Sequence, residues 1–418
     1  MEWKGLLQPG RVNAMKRFTA DNFTGCLVGG AIGDALGYFV EFDSAEEIFQ
    51  KYGEDGLSDF SQEDRDVYIS DDTQMTLFTA NGLLYYASLG AAAGDTAVSC
   101  LYEAYVDWLR TQQRESADTV SVPEVRSISW ILNLEELHHR RGPGNTCLSA
   151  LGSGAAGTTE DPINNSKGCG GIMRSAPIGL FVESPVQAAR LAAEASALTH
   201  GHPLGFIPSA AYAFLINRLV YSEDSFEDIL SACADMLIKE YGQYPETLRV
   251  LELLTKAVSL ALEERASEYS APSRSGIAAV RAEGDPVYLA PPRKKYSQVD
   301  MKKEAAQLEK IGAGWVAEET LAIAVYCCLR YGDDFETAVR VAANHSGDSD
   351  STASLVGALI GAVIGNSNMP TKYVMLLELY DVISEIAQDL YDGCPASATV
   401  TRADDSEWLD KYVYHSYR

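Results

Sequence analysis

Two rows of glycine constrain this chain more than any other feature of its sequence. Gly25, Gly29, Gly33 and Gly37 recur at every fourth position, and Gly357, Gly361 and Gly365 repeat the pattern near the other end. Residues four apart share one face of an α-helix. Each glycine gives up about 1 kcal/mol of helix propensity relative to alanine, so a row of them needs a compensating gain. Close backbone-to-backbone packing is the plain one, because small residues let helices approach. On that reading the rows are packing devices that hold nearby acidic residues rigidly.

The rest of the chain is read as helix too. Ala, Leu, Glu and Ile recur at three-to-four-residue spacing over roughly 22–40, 73–93, 96–112, 185–199, 205–220, 224–240, 246–266, 315–331, 334–343, 351–366 and 371–391. Period-two patterns are scarce, so the expected fold class is all-α. Two polar, turn-rich segments interrupt the helices. One, about 141–168, carries Gly142-Pro143-Gly144-Asn145; the other, about 266–312, carries Pro291-Pro292 and Arg293-Lys294-Lys295. Loops of this length are often functional. No tandem repeat or strong linker is present, so residues 1–418 are read as a single domain with two loop excursions.

Composition narrows the partners. Lys+Arg is 33 against Asp+Glu 59, a formal net charge of -26. Such a surface repels nucleic-acid backbones and anionic membranes. A phosphate-bearing ligand would need a local counter-charge, backbone N–H groups or a metal. The first twenty residues contain no apolar run of signal-peptide type. Ala353–Gly365, read as the longest apolar run, is shorter than the ~20 residues of a membrane span. The eight cysteines are scattered without a CxxC pair. That argues against a zinc site or a disulfide framework and fits a reducing cytoplasm.

Acidic residues cluster at two expected helix starts, Ser70-Asp71-Asp72-Thr73 and Gly347-Asp348-Ser349-Asp350-Ser351-Thr352. Helix capping accounts for one such residue per helix; paired acids with flanking hydroxyls exceed that need. Four packed carboxylates would repel one another and suffer desolvation, which a divalent cation relieves. The donors are all hard oxygens, which selects Mg²⁺ or Mn²⁺ over Zn²⁺. Asp34 lies in an otherwise apolar helix, either as a buried hydrogen-bonder, the favoured reading, or as a polar wall of a site. Glu41 follows that helix, where a carboxylate could swing or simply be solvated. Gly168-Cys169-Gly170-Gly171-Ile172-Met173-Arg174 is dense enough in glycine to cradle phosphate, although an ordinary turn uses the same residues. His200 is a second ambiguous candidate, structural or catalytic.

Together these pieces resemble the ADP-ribosylglycohydrolase family. The resemblance is carried by Gly25–Glu41, Ser70–Thr73, Gly168–Arg174, Leu198–His200, Trp315–Glu319 and Asn344–Thr352, in the family's order. It implies a compact orthogonal helical bundle with a binuclear Mg²⁺ or Mn²⁺ site. Ser70, Asp71, Asp72 and Asp350 match the ligands of one metal, and Asp348, Asp350 and Ser351 those of the other. Glu41 matches a mobile glutamate. Ser166, Gly168, Gly170 and Gly171 match a loop around the diphosphate and distal ribose, Cys169 stands where asparagine is frequent, and His200 matches a ligand-side histidine. Ser70 and Ser351 replace a common threonine and keep its hydroxyl.

The implied activity is hydrolysis of the bond between ADP-ribose and a modified protein side chain, most of all the N-glycosidic bond to arginine. Glu41, Asp72 and Asp350 are the expected catalytic acids, and ADP-ribosylated protein and ADP-ribose the expected partners. The alternatives are a serine-linked conjugate, O-acetyl-ADP-ribose, and a binding or immunity protein directed against an ADP-ribosylating toxin.

Overall fold

The computed structural model describes residues 18–63, 66–89, 95–113, 121–270, 299–397 and 405–417, leaving aside the side chains of 266–270. Every regular element among them is helical; β pairing is confined to one isolated antiparallel bridge, Gly168 with Val316. A continuous buried apolar cluster runs from Phe23 to Tyr412.

The glycine rows meet. The helix Ala20–Gly37 crosses the helix Ser349–Ile364 antiparallel, with Gly25 against Gly361, Gly29 against Gly357, Gly33 against Ala353 and Gly37 against Ser349. A Cβ on any of these four first-row glycines would collide with a backbone carbonyl of the other helix. The two backbones are therefore in contact, and dispersion between them offsets the propensity cost. The antiparallel sense decides where function can lie. It brings the C-terminal end of the first helix, with Asp34 and the following Glu41, beside the N-terminus of the second, with Asp348, Asp350 and Ser351.

Most expected helices are present within a few residues. The stretch expected over 371–391 is broken into Thr371–Val374 and Tyr380–Gly393, with Leu379 in the left-handed region at φ 57°. The break turns Glu378 back toward the site. Both loop excursions hold helix: Asn145–Gly152 in the first and Met301–Ile311 in the second, while the helix Glu246–Ser270 runs into the second from its other side. Met301, Ala305, Leu308 and Ile311 form a buried stripe whose period is masked by intervening Lys, Glu and Gln. Pro291-Pro292 and Arg293-Lys294-Lys295 lie outside the described residues. Pro203–Tyr221 is longer than the Ala353–Gly365 run and, among the described residues, is the one helix long and apolar enough to cross a membrane; 89% of its apolar window is buried inside the protein.

Candidate active site

Asp34 organises the first acidic run. It is fully buried, and its carboxylate accepts from Ser70 N at 3.0 and 3.1 Å, from Thr73 N at 3.1 Å and from the Thr73 hydroxyl. It thus caps the helix Asp71–Leu89 from a neighbouring helix, the structural role favoured for it. Asp71 and Asp72, in the first turn of that helix, are thereby released from capping. Asp71 Oδ2 accepts from Gly144 N at 3.3 Å, whereas Asp72 Oδ2 is buried with no hydrogen-bond partner.

The second run behaves in the same way. Asp348 occupies the N-cap position of Ser349–Ile364, yet its side chain makes no cap hydrogen bond, and its Oδ2 is buried without a partner. Asp350 Oδ1 accepts from Ser351 N at 2.9 Å. Glu41 is only 7% exposed rather than solvated, and its Oε2 is a third buried oxygen without a partner. One carboxylate oxygen each from Glu41, Asp348 and Asp350 lie within 4.8 Å of one another.

Three unpartnered buried carboxylate oxygens beside further acids are unfavourable by themselves. The electrostatics agree. Burial, then the Asp350 charge, pushes Glu41 up to about 10 and Asp34 up to about 7. The same two causes hold Asp71, Asp72 and Asp348 well above the usual carboxylate range, and burial raises Asp350 itself. Asp350 is the shared neighbour of all these acids. Hard oxygen donors, unpartnered atoms and mutual repulsion together fit a divalent cation cluster. Ser70 and Ser351, chain neighbours of Asp71 and Asp350, are buried as well.

The turn around Gly142 closes this end of the site. Arg141 O accepts from Asp71 N at 2.9 Å. Gly142, at φ 71°, passes so close that a Cβ there would lie 3.3 Å from Glu41 Oε2. The Arg141 guanidinium grips both oxygens of Glu378, reaches Ile69 O at 3.3 Å and lies over the Tyr68 ring at 4.0 Å. Glu378 Oε2 also accepts from Ile69 N at 3.1 Å. Arg141 and Glu378 therefore clamp the chain that leads into Ser70–Asp72. Gly-Pro-Gly marks this turn in the sequence without indicating its target, and Glu378 carries no local signal.

The glycine loop forms the other end. Cys169–Gly171 is a single 3₁₀ turn, and the preceding segment is pinned to the start of the helix Ala317–Tyr331 by the Gly168–Val316 bridge and by Ala317 N donating to Lys167 O at 3.0 Å. The first amides of such a turn lack helical acceptors. Ser166 Oγ lies 3.1 Å from Thr146 Oγ1 and accepts from Gly168 N at 3.4 Å. His200 packs against the loop: a Cβ on Gly170 would meet its ring at 2.9 Å and Cys147 Sγ at the same distance. His200 Nδ1 pairs with Thr199 Oγ1 at 2.8 Å, and burial, then Arg174, lowers its pKa to about 3, so the ring is neutral. Cys169 joins the two ends. Burial and then the Asp348 charge raise its thiol well above the ordinary value, so a neutral thiol stands beside the acidic cluster.

Neither basic residue of the loop is free. Lys167 Nζ pairs with Glu318 at 3.0 Å. Arg174 is 1% exposed, donates to Thr199 Oγ1 at 2.7 Å and Ala195 O at 3.2 Å, and stacks on Tyr105 at 4.1 Å.

Comparison with known proteins gives concordant results. A family model described as ADP-ribosylglycohydrolase matches residues 15–399. The human ADP-ribosylhydrolase ARH3 is 22% identical over 386 residues, 88% of this chain and 92% of that protein. The ADP-ribosylarginine hydrolase Tri1 of Serratia proteamaculans is 24% identical over 385 residues, 90% of this chain and 80% of that one. Among solved structures, an ADP-ribosylglycohydrolase-related protein complex shares the fold, with a TM-score of 0.53 at 20% identity, covering 90% of this chain and 98% of that chain.

Proposed function

Because the chain belongs to the ADP-ribosylglycohydrolase family, we propose that it is a metal-dependent hydrolase that removes ADP-ribose from arginine side chains of modified proteins. The observation that carries this reading is the trio of buried, unpartnered oxygens on Glu41, Asp72 and Asp348 around Asp350. A binding-only protein has no use for such an arrangement. Arginine as acceptor is supported by the relative whose name carries that linkage, Tri1.

Ser70, Asp71, Asp72 and Asp350 would hold one Mg²⁺ or Mn²⁺, and Asp348, Asp350 and Ser351 the other. When bound, the cations would neutralise the cluster, orient the hydroxyls of the ribose and lower the pKa of water. The protein's own groups supply the rest. The amides around Gly168, Gly170 and Gly171 receive the diphosphate, since neutral dipoles suit a close anion where Lys167 is already paired. Ser166 and Cys169 line the approach, and neutral His200 supports the loop from behind. At the reacting carbon, water oxygen bonds to C1″ as the C1″–N bond breaks through an oxocarbenium-like transition state. Glu41 Oε2, or Asp72 Oδ2, accepts the water proton, which ends on the departing guanidine nitrogen.

The same proposal takes residues 1–418 as one catalytic domain and places it in the cytoplasm, the latter supported by eight cysteines that are all free. The test is release of ADP-ribose from arginine-, serine- and acetyl-linked conjugates, with Mg²⁺, with Mn²⁺ and with chelator. Release from the arginine conjugate that stops with chelator supports the reading. Release from the serine or acetyl conjugate alone reassigns the linkage, and release unaffected by chelator removes the metal.

A further inference from the structure

Phe42 and Trp315 are 75% and 42% exposed, and their rings stack with centroids 5.9 Å apart and planes within 19°. Each is tied to the acidic cluster by its chain neighbour. Phe42 directly follows Glu41. Trp315 follows Gly314, where a Cβ would lie 3.4 Å from Asp348 Cβ, and Asp348 N donates to Ala313 O at 2.8 Å. The pair is thus carried by chain segments that adjoin Glu41 and Asp348. Phe42 buries little of its ring, and Trp315 leaves two-fifths of its surface in water, so the exposed faces contribute little to the fold. Their packing alone gives no reason for their place.

We propose that Phe42 and Trp315 form the acceptor-side platform of the active site and receive the planar guanidinium of the modified arginine. The inference rests on the arginine reading above and adds the residues that select it. A guanidinium stacks on aromatic faces, with tryptophan the strongest partner. Charge favours the same occupant: the net charge is -26, and Asp43, Glu46 and Glu47 follow Phe42 immediately. A seryl or acetyl group has neither the plane nor the charge to use such a platform. Adenine is also planar, but the position of the pair beside Glu41 and Asp348 places it with the bond that breaks.

The test uses the full-length protein and Trp315→Ala, Phe42→Ala and the double variant. Calorimetry in a Glu41→Gln background, where turnover is slowed, gives the affinity of intact ADP-ribosyl-arginine and of free ADP-ribose. The parent Glu41→Gln protein should bind the arginine conjugate more tightly than ADP-ribose. Trp315→Ala should erase that difference, a loss of about threefold to thirtyfold, and leave ADP-ribose affinity within about twofold. In the wild-type background, kcat/KM should fall for the arginine conjugate and not for the serine conjugate. Equal weakening of free ADP-ribose would make the pair an adenosine seat and overturn the proposal, as would equal losses on both conjugates or no loss at all. If the wild type does not cleave the arginine conjugate, the proposed linkage fails, while the binding comparison still decides the role of the pair.

Discussion

The two ends of the site are built on opposite principles. At the acidic end, charged side chains crowd together with oxygens left unpartnered, and the arrangement waits for cations. At the glycine end, charge is already engaged or absent: Lys167 is paired, Arg174 is buried and His200 is neutral. Packing sets the loop's shape in advance. The first end should therefore respond to metal and pH, and the second to changes of shape. Cys169, with its backbone in the loop and its thiol under the influence of the Asp348 charge, is where the two meet.

Removing the shared charge is the strongest way to break the contrast. Asp350→Ala should lower turnover by roughly 10²–10³-fold or more, the scale of losing a preorganised electrostatic group. In chelator it should raise the melting temperature, because it relieves repulsion on every neighbouring acid. A chelated variant that melts lower than wild type would show that Asp350 is mainly structural. Next in size is Glu41→Gln. It should cut kcat by about 10²-fold, the lower range of general acid–base effects, with a smaller change in ADP-ribose affinity. Equal losses in both quantities would assign Glu41 to binding rather than proton handling.

Arg141→Ala acts one step away from the cluster. Freed from Glu378, the Ile69–Asp72 segment loses its clamp, and metal affinity should fall about 10–100-fold, as for other groups that orient ligands. Metal titration measures it, and an unchanged affinity would mean that the clamp serves stability alone. Smaller still is the pH response of the chelated protein. Asp34 and Glu41 are raised above their unfolded values to about 7 and about 10, so the folded state holds extra protons between about pH 4 and those values. Stability should then fall as pH rises, with a melting temperature several degrees higher at pH 5 than at pH 8. Saturating Mg²⁺ should flatten the trend, and a flat profile already present in chelator would contradict the repulsion.

The mildest effect is expected at the loop's exposed cation. Lys167→Ala should change ADP-ribose affinity by less than about threefold, because Glu318 already holds the ammonium. Gly170→Val should be severe, since its side chain would press on His200 and Cys147. Intact binding in Gly170→Val together with lost binding in Lys167→Ala would transfer anion recognition from backbone to cation.

Local chemistry explains which features the sequence displayed. Ser70–Thr73 and Asp348–Thr352 are legible because acids and hydroxyls are adjacent in the chain. The glycine rows are legible because helix period makes them so. Asp34 carries half a message: a buried acid is visible, but its cap on another helix depends on tertiary contact. Arg141 and Glu378 are 237 residues apart, and an ion pair at that distance leaves no spacing to read. The interruption before Tyr380 is equally silent, since Leu379 takes a left-handed conformation without glycine or proline to announce it.

The antiparallel glycine seam also governs when the site can exist during synthesis. Asp71 and Asp72 leave the ribosome early, Asp348 and Asp350 nearly three hundred residues later, and Gly357–Gly365 later still. Until that last segment emerges, the first glycine helix has no partner for its bare backbone, and the early acids have no companions to share a cation. Pairing across such a separation carries a large loop-closure entropy and is intrinsically slow. A nascent chain halted before the second glycine row would leave the first glycine helix unpaired and the two acidic runs apart, so the acidic cluster forms only once the seam has closed.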